Sequence, residues 1–330
     1  MPLLLRYKAE VGNNRRKGLF MAEGRGLWRL LWIVPWFLLL LAPVAARARR
    51  PLPLAPLITH DTRLLVFSPH PDDESLGAAG LIQRVLEKGG RVQIVFMTNG
   101  DGYPDGVEKE DHISSPTAKE YRRYGAQRRT EAVKATRRLG VKARDVIFLG
   151  FPDGGLDCLR DRFRTGPQAF MSPFTRANCP PAPEAIIPRT AYTGQDLIRE
   201  VERVISRFHP NLVATTPPQD AHPDHNATWY FVEEALANLT RKHQDSSPRL
   251  LGFLIHFDHW PPARGAMTAS CLKPPAGFPD KKARWASLAL TPRETLTKRR
   301  ALRQYRTQML VMGPYLLSFD RPNELFLLEN

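Results

Sequence analysis

The run Ser68-Pro69-His70-Pro71-Asp72-Asp73-Glu74 puts an imidazole and three carboxylates on one turn, directly behind the apolar stretch Leu64-Leu65-Val66-Phe67. Like charges raise one another's pKa and burial disfavours the ionised form, so such crowding calls for a positive partner, and a divalent metal is the simplest. A second cluster, His222-Pro223-Asp224-His225, follows the apolar run Leu212-Val213-Ala214. Two acid/histidine turns, each behind a strand, read as the two parts of one metal site.

His70 and Asp73 are three residues apart on a tight turn and can face one centre, which His225 reaches from the neighbouring strand end. Two imidazoles and a carboxylate, with positions left for water, make a catalytic zinc set. Hydrolytic zinc acidifies bound water and polarises a carbonyl. Asp72 then stands beside the metal, free to take a proton from water and return it to a leaving amine. His222 suits the oxyanion of a tetrahedral intermediate, as an imidazolium. Asp224, and Glu74 from the first turn, are placed to orient these histidines. Either cluster alone also reads as an ordinary turn or a solvated helix start, where acids suit the helix dipole; the pair, each behind a βα-type strand, argues against coincidence. His256 and His259 end another apolar run and either line the pocket or form a loop pair without function. His60, His112, His209 and His243 read as surface or loop residues.

The elements that must carry these groups alternate. Strands are expected at Leu64–Phe67, Val92–Met97, Val146–Leu149, Leu212–Thr215 and Leu250–Ile255. Helices are expected at Ala78–Glu87, Lys119–Leu139 with Gly140 as stop signal, Asp196–Phe208, Thr228–Leu239 and Pro292–Leu310. Alternating βα units predict an α/β fold, a Rossmann-like, mainly parallel sheet with helices on both faces. Ligands bind beyond the carboxyl ends of such strands, where both acid/histidine turns fall. Residues 152–193, rich in Pro and Gly, break the rhythm and read as a long surface insertion near the active face.

The chain has 330 residues and a formal charge of +15. Residues 1–50 hold ten Lys/Arg and two acids, so more than half of the excess lies there. The rest is mild, and no basic stripe with interleaved aromatics stands out as a nucleic-acid groove. The charge flanks an apolar segment, Leu30–Leu41, followed by small residues through Ala48. This is the layout of an export signal, with cleavage after Ala46 or Ala48 and Met21 as a possible start. The alternative is an uncleaved membrane anchor, since the run extended to Ala46 reaches the lower limit for a spanning helix. Residues 1–48 are thus expected as signal peptide or anchor, 49–60 as a Pro-rich linker and 61–330 as the catalytic domain. The protein is expected to be exported, periplasmic or extracellular, or anchored by its N-terminal segment. Cys158 and Cys179 either pair across their loop or stay free, as Cys271 does.

These motifs resemble the PIG-L/LmbE-type N-deacetylases, metal-dependent enzymes that remove acetyl groups from N-acetylglucosamine-containing substrates. The resemblance rests on Pro69–Glu74, Thr98-Asn99-Gly100-Asp101-Gly102, Arg128-x-x-Glu131-x-x-x-Ala135 with Leu139-Gly140, Leu149-Gly150-Phe151-Pro152-Asp153-Gly154, Asp220–His225 and Lys298-x-x-Ala301-Leu302-x-x-Tyr305-x-x-Gln308. It implies His70, Asp73 and His225 as zinc ligands (iron(II) can occupy the same set), Asp72 as general base and His222 as oxyanion stabiliser. It further implies substrate contacts from Asp101, Arg128 and His256; the alternative for Arg128 is a helix-surface salt bridge to Glu131. His256 with Trp260-Pro261 resembles exported bacterial members. The implied substrate is an N-acetylated amino sugar in a glycan or glycolipid. The competing readings are a metal-dependent amidase for another acylated amine and a silent, exported carbohydrate-binding protein.

Overall fold

Leu64 and Val66 enter one buried apolar cluster, Leu65 and Phe67 another. A strand whose alternate residues are all buried lies between two helix layers, as central parallel strands do. The computed structural model describes residues 50–182, 184–243, 248–262, 269–280 and 282–329. In chain order its elements are β1 (Leu52–Pro53), β2 (Arg63–Ser68), α1 (Asp73–Gly77), α2 (Ala79–Glu87), β3 (Arg91–Thr98), α3 (Pro104–Asp111), α4 (Ala118–Arg138), β4 (Val146–Phe151), α5 (Leu156–Arg160), α6 (Gly194–Phe208), β5 (Leu212–Thr215), α7 (Pro223–His243), β6 (Arg249–Gly252), β7 (Arg284–Ala289), α8 (Pro292–Leu302), α9 (Arg306–Leu317) and β8 (Asn323–Leu328).

The strands form one sheet in the order β1-β7-β8-β6-β5-β2-β3-β4. From β6 to β4 neighbouring strands are parallel. β8 runs antiparallel to both β6 and β7. The expected α/β fold, a mainly parallel sheet with helices on both faces, is therefore the one observed. One cluster joins the sheet to α2, α4 and α8, through residues such as Leu81, Ala132 and Ala301. The other joins it to α5, α6 and α7, through Leu159, Val201 and Phe231. The chain builds outward from β2 through β3 to β4, then crosses back to place β5 on the other side of β2. That reversal opens a crevice beyond the carboxyl ends of β2 and β5, the usual place for a ligand in such sheets.

Several elements differ from expectation. The expected strand Leu250–Ile255 ends at Gly252, because the Asp220 carboxylate accepts the backbone N–H groups of Ile255 and His256, both at 2.9 Å, and draws the chain off the sheet. The expected helix Pro292–Leu310 is broken around Tyr305, whose side chain is fully buried. The Pro-rich stretch read as a linker joins the sheet edge, with Leu52 and Pro53 paired to β7 and Leu54 fully buried. The stretch 152–193 is no simple surface insertion. It holds α5, sends Leu156, Leu159 and Tyr192 into the core, and ties Tyr192 OH to the Gly150 carbonyl at 2.8 Å. Cys158, Cys179 and Cys271 are free, so the first two are not bonded to each other. The expected signal or anchor segment lies outside the described residues. Among the described residues no helix is long and apolar enough to cross a membrane.

Candidate active site

The first turn leaves β2 at Ser68, whose hydroxyl donates to the His70 carbonyl at 2.7 Å and accepts the Glu74 N–H at 3.1 Å. The Pro69 carbonyl accepts both the N–H and the hydroxyl of Thr98, which pins the turn to β3. Asp73 opens α1, and its Oδ2 accepts the His70 N–H at 3.0 Å. Asp72, just before the helix, has φ 131° and ψ −30°, a conformation that residues with a Cβ avoid. The second turn follows β5. Pro223 begins α7 at the position where a missing N–H costs nothing. Asp224 and His225 therefore project from the first turn of a regular helix. Asp220 holds the approach by accepting the His222 N–H at 3.0 Å.

The two turns converge. His70 Nδ1 lies 3.1 Å from His225 Nε2 and 3.3 Å from Asp73 Oδ2, and His225 Nε2 lies 3.2 Å from the same oxygen. Tetrahedral coordination at zinc–ligand bonds of about 2.0 Å separates neighbouring ligand atoms by about 3.3 Å. The triangle thus fits one small divalent cation, and the donor set of two imidazoles and a carboxylate suits zinc.

Supports behind the triangle are equally specific. His70 Nε2 faces Asp153 Oδ1 at 3.0 Å and Asp224 Oδ2 at 3.2 Å. Asp224 is itself fixed by the N–H groups of Gly154 at 2.7 Å and Leu156 at 2.9 Å. His225 Nδ1 faces Asp220 Oδ2 at 3.3 Å. The structure thus places Asp224, expected beside a histidine, against His70. Glu74 differs: it touches no histidine. Its Oε2 accepts the Asp72 N–H at 3.2 Å, and its Oε1 accepts the hydroxyls of Ser75 and Tyr305. A fully buried carboxylate goes where donors are, and the donors here are backbone and hydroxyl groups.

Charge is distributed accordingly. Burial opposes ionisation of His70, yet the adjacent Asp153 charge and hydrogen bonds to three carboxylates raise its pKa well above the usual value. Burial likewise opposes His225, and Asp73 and Asp220 push it up to about 9. Asp73 lies well below the usual carboxylate range despite burial, because of His225 and His70. Asp72 is raised to about 8, by burial against the pull of Arg128. His222 is lowered to about 2 by burial and by its neighbours His70, His225 and His256. Burial and three neighbouring imidazoles thus disfavour the imidazolium expected at His222. The Asp224 N–H donates to His222 Nδ1 at 3.2 Å, which leaves the ring proton on Nε2. A neutral His222 is still a donor.

The proposed substrate contacts are also gathered here. Arg128 is buried and donates to the Gly100 carbonyl at 2.8 Å and the Pro71 carbonyl at 2.7 Å, with Asp72 Oδ2 at 3.5 Å. It makes no surface bridge to Glu131, whose carboxylate instead accepts the N–H and hydroxyl of Thr307. Gly100 (φ +65°) must be glycine, since a Cβ would stand 2.1 Å from Arg128 Nη1. Asp101 packs on Gly125 of α4, and burial with the nearby Asp153 charge raises it to about 8. The His256 ring is 4.9 Å from that of His225 and stacks on Tyr315 at 5.6 Å. His259 is exposed and takes no part. Asp153 and Asp220 were missed as site residues although both lie in the motifs quoted above; Pro152-Asp153-Gly154 was the available signal. A cleft of about 1080 Å³ lies at the other end of the sheet, beside Arg63, Leu212 and Arg249, and has no such cluster.

A Rossmann-like sheet with a two-histidine, one-aspartate centre at its topological switch point defines the class. The family model described as "PIG-L: GlcNAc-PI de-N-acetylase" matches residues 65–236, from β2 through both acid/histidine turns into α7, and the chain belongs to that family. A 1D-myo-inositol 2-acetamido-2-deoxy-alpha-D-glucopyranoside deacetylase of Nakamurella multipartita is 32% identical over 178 residues, 53% of this chain and 54% of the relative. A probable N-acetyl-alpha-D-glucosaminyl L-malate deacetylase of Bacillus anthracis is 26% identical over 181 residues, 54% of this chain and 62% of the relative. The chain spans about half the length of the curated relatives it matches. Among solved structures, the N,N'-diacetylchitobiose deacetylase of Pyrococcus horikoshii aligns with TM-score 0.47 and 19% identity over 77% of this chain and 74% of that one.

Proposed function

We propose that this protein is a zinc-dependent N-deacetylase that hydrolyses the acetamide of an N-acetylglucosamine-type amino sugar in a glycan or glycolipid. The observation that carries the reading is the triangle of His70 Nδ1, Asp73 Oδ2 and His225 Nε2, with edges of 3.1–3.3 Å and the Asp72 carboxyl on the same turn. His70, Asp73 and His225 would hold the cation. When bound, a divalent cation there supplies a Lewis acid that acidifies water and polarises the amide carbonyl; iron(II) suits the same donors.

The chain's own residues supply the rest. Asp72 accepts a proton from the attacking water through its carboxylate, and Arg128 restrains that carboxylate from Oδ2. Water oxygen bonds to the acetyl carbon, and the carbonyl oxygen gains the negative charge. His222 donates to that oxygen through Nε2–H, as a neutral donor already oriented before charge develops. The C–N bond then breaks with its electron pair on nitrogen, Asp72 returns its proton to the amine, and the acid product keeps the second water proton until it leaves and ionises to acetate. Asp101, Arg128 and His256 border the place where the sugar would lie. The relatives named above, all deacetylases of N-acetylglucosaminyl compounds, support this substrate class. For the N-terminal segment we retain export or anchoring as the proposed role, tested by fractionating cells that express the tagged chain.

The deciding experiment is acetate release from N-acetylglucosaminyl glycosides by the zinc-reconstituted protein. Release that chelator abolishes and zinc restores is the expected result. Amine release only from other acyl amides would make the protein an amidase of different specificity. Glycoside binding without release would make it a carbohydrate-binding protein.

A further inference from the structure

We propose that Tyr305, at the break between α8 and α9, is a positioning residue that holds the backbone of Asp72 through Glu74. Asp72 at φ 131° occupies a conformation that persists only where its surroundings over-determine it. Its carbonyl accepts the N–H groups of Ser75 and Leu76, both at 2.9 Å, which α1 provides locally. Its N–H has one partner, Glu74 Oε2, and the orientation of that carboxylate is set by what grips its other oxygen. Ser75 Oγ and Tyr305 OH both donate there. Ser75 moves with the turn itself. Tyr305 comes from 231 residues further along the chain, is fully buried and is therefore the fixed point.

The grip is not isolated. Lys298, two turns earlier on α8, donates from Nζ to the Leu76 carbonyl at 2.7 Å and to Glu324 Oε1 at 2.8 Å. Helix α8 and the break behind it thus hold α1 at two points, one at Glu74 and one at Leu76. Thr307 offers a contrast. Its hydroxyl, two residues after Tyr305, donates to Glu131 Oε2 at 2.7 Å. That bond is buried and similar in kind but leads to no reacting group.

The test compares Tyr305→Phe with Thr307→Val in the zinc-loaded full chain, reading amide exchange at Asp72 by NMR alongside acetate release from methyl N-acetylglucosaminide. Losing a support behind a site group lowers its output by about 10- to 100-fold, so Tyr305→Phe should reduce kcat by that factor, with KM and zinc content within about twofold of wild type. Exchange at Asp72 should accelerate by a similar factor. Thr307→Val should lower thermal stability and leave both readouts in place. Wild-type exchange and kcat in Tyr305→Phe, or equal losses in both variants, would overturn the assignment. If Tyr305→Phe fails to fold, Glu74→Gln carries the test, since an amide cannot accept from Asp72 and Tyr305 at once; unchanged exchange there is likewise fatal. The inference rests on the deacetylase reading for its kinetic arm alone. A wild-type protein that protects the Asp72 amide yet releases no acetate sinks that reading, and exchange in the variants still decides the role of Tyr305.

Discussion

The turns behind β2 and β5 both end in acid and histidine, yet they are built differently. The second has regular backbone: Pro223 starts α7, Asp224 and His225 follow on its first turn, Asp220 ties down the approach within a few residues, and the distant N–H groups of Gly154 and Leu156 only grip the Asp224 side chain. The first departs from regular backbone at Asp72 and is held from afar, by Arg128 on α4 and by Tyr305 acting on Glu74. The ligand proposed at His225 can be set by ordinary helix geometry, because coordination needs only that its atom reach the shared centre. The general base proposed at Asp72 needs a direction its neighbours do not have, and long-range contacts impose it.

That contrast makes predictions. The largest effect should follow loss of a ligand on the regularly built side: His225→Ala should bind no zinc at stoichiometric load by metal analysis and release acetate at background rate. Next is the strained side. Asp72→Asn should keep its zinc while kcat falls by about 10²- to 10⁴-fold, the usual share of a general base; undiminished turnover would remove Asp72 from that role. Asp224→Asn removes a charge that His70 faces, and metal affinity measured by chelator competition should weaken by about 10- to 100-fold. The smallest effect is on stability. Without metal, Asp72 and Asp101 are pushed up to about 8, Glu74 to about 7 and His225 to about 9, all above their ordinary values. Raised values stabilise the fold at low pH, and the gain is lost as pH climbs from each ordinary value through the raised one. His222 and His256, lowered to about 2 and about 4, act oppositely, and their effect is complete once pH passes the ordinary value of 6.5. Above that point raised groups still titrate, His70 and Glu329 among them, so the Tm of chelated protein should fall between about pH 6.5 and 9, and zinc should flatten the curve. A flat curve without zinc would mean these groups are not buried together.

The parts legible in the sequence were those whose chemistry is contiguous. Each acid/histidine turn lies within a few residues of an unbroken apolar strand, so motif and element were read together, and the five parallel strands followed from the βα rhythm. What stayed hidden depends on partners far along the chain. Asp153 sits in irregular backbone, and only the fold brings it to His70. Glu74 offers no local sign that it meets Tyr305 rather than a histidine. β8 begins with Asn323 and Glu324, polar residues that argue against a buried strand until their partners appear. Asn323 bonds both backbone groups of Leu272, and Glu324 accepts the N–H groups of Gly80 and Leu81 at the start of α2. The surroundings of His222 were hidden for a related reason, since two of the three rings that crowd it, His70 and His256, come from other segments.

The place of β8 has a further consequence for how the protein is made. Although it is the last of the described elements, it lies inside the sheet, between β6 and β7, and closes the gap between the parallel strands and the edge pair. During synthesis the earlier strands can assemble as they emerge. The region around α1 must wait, because Glu324 arrives only with the final strand and Lys298 has no carboxylate partner before it does. Ordering of the Asp72 turn is thereby tied to β8, which is made after every other described element that it holds together.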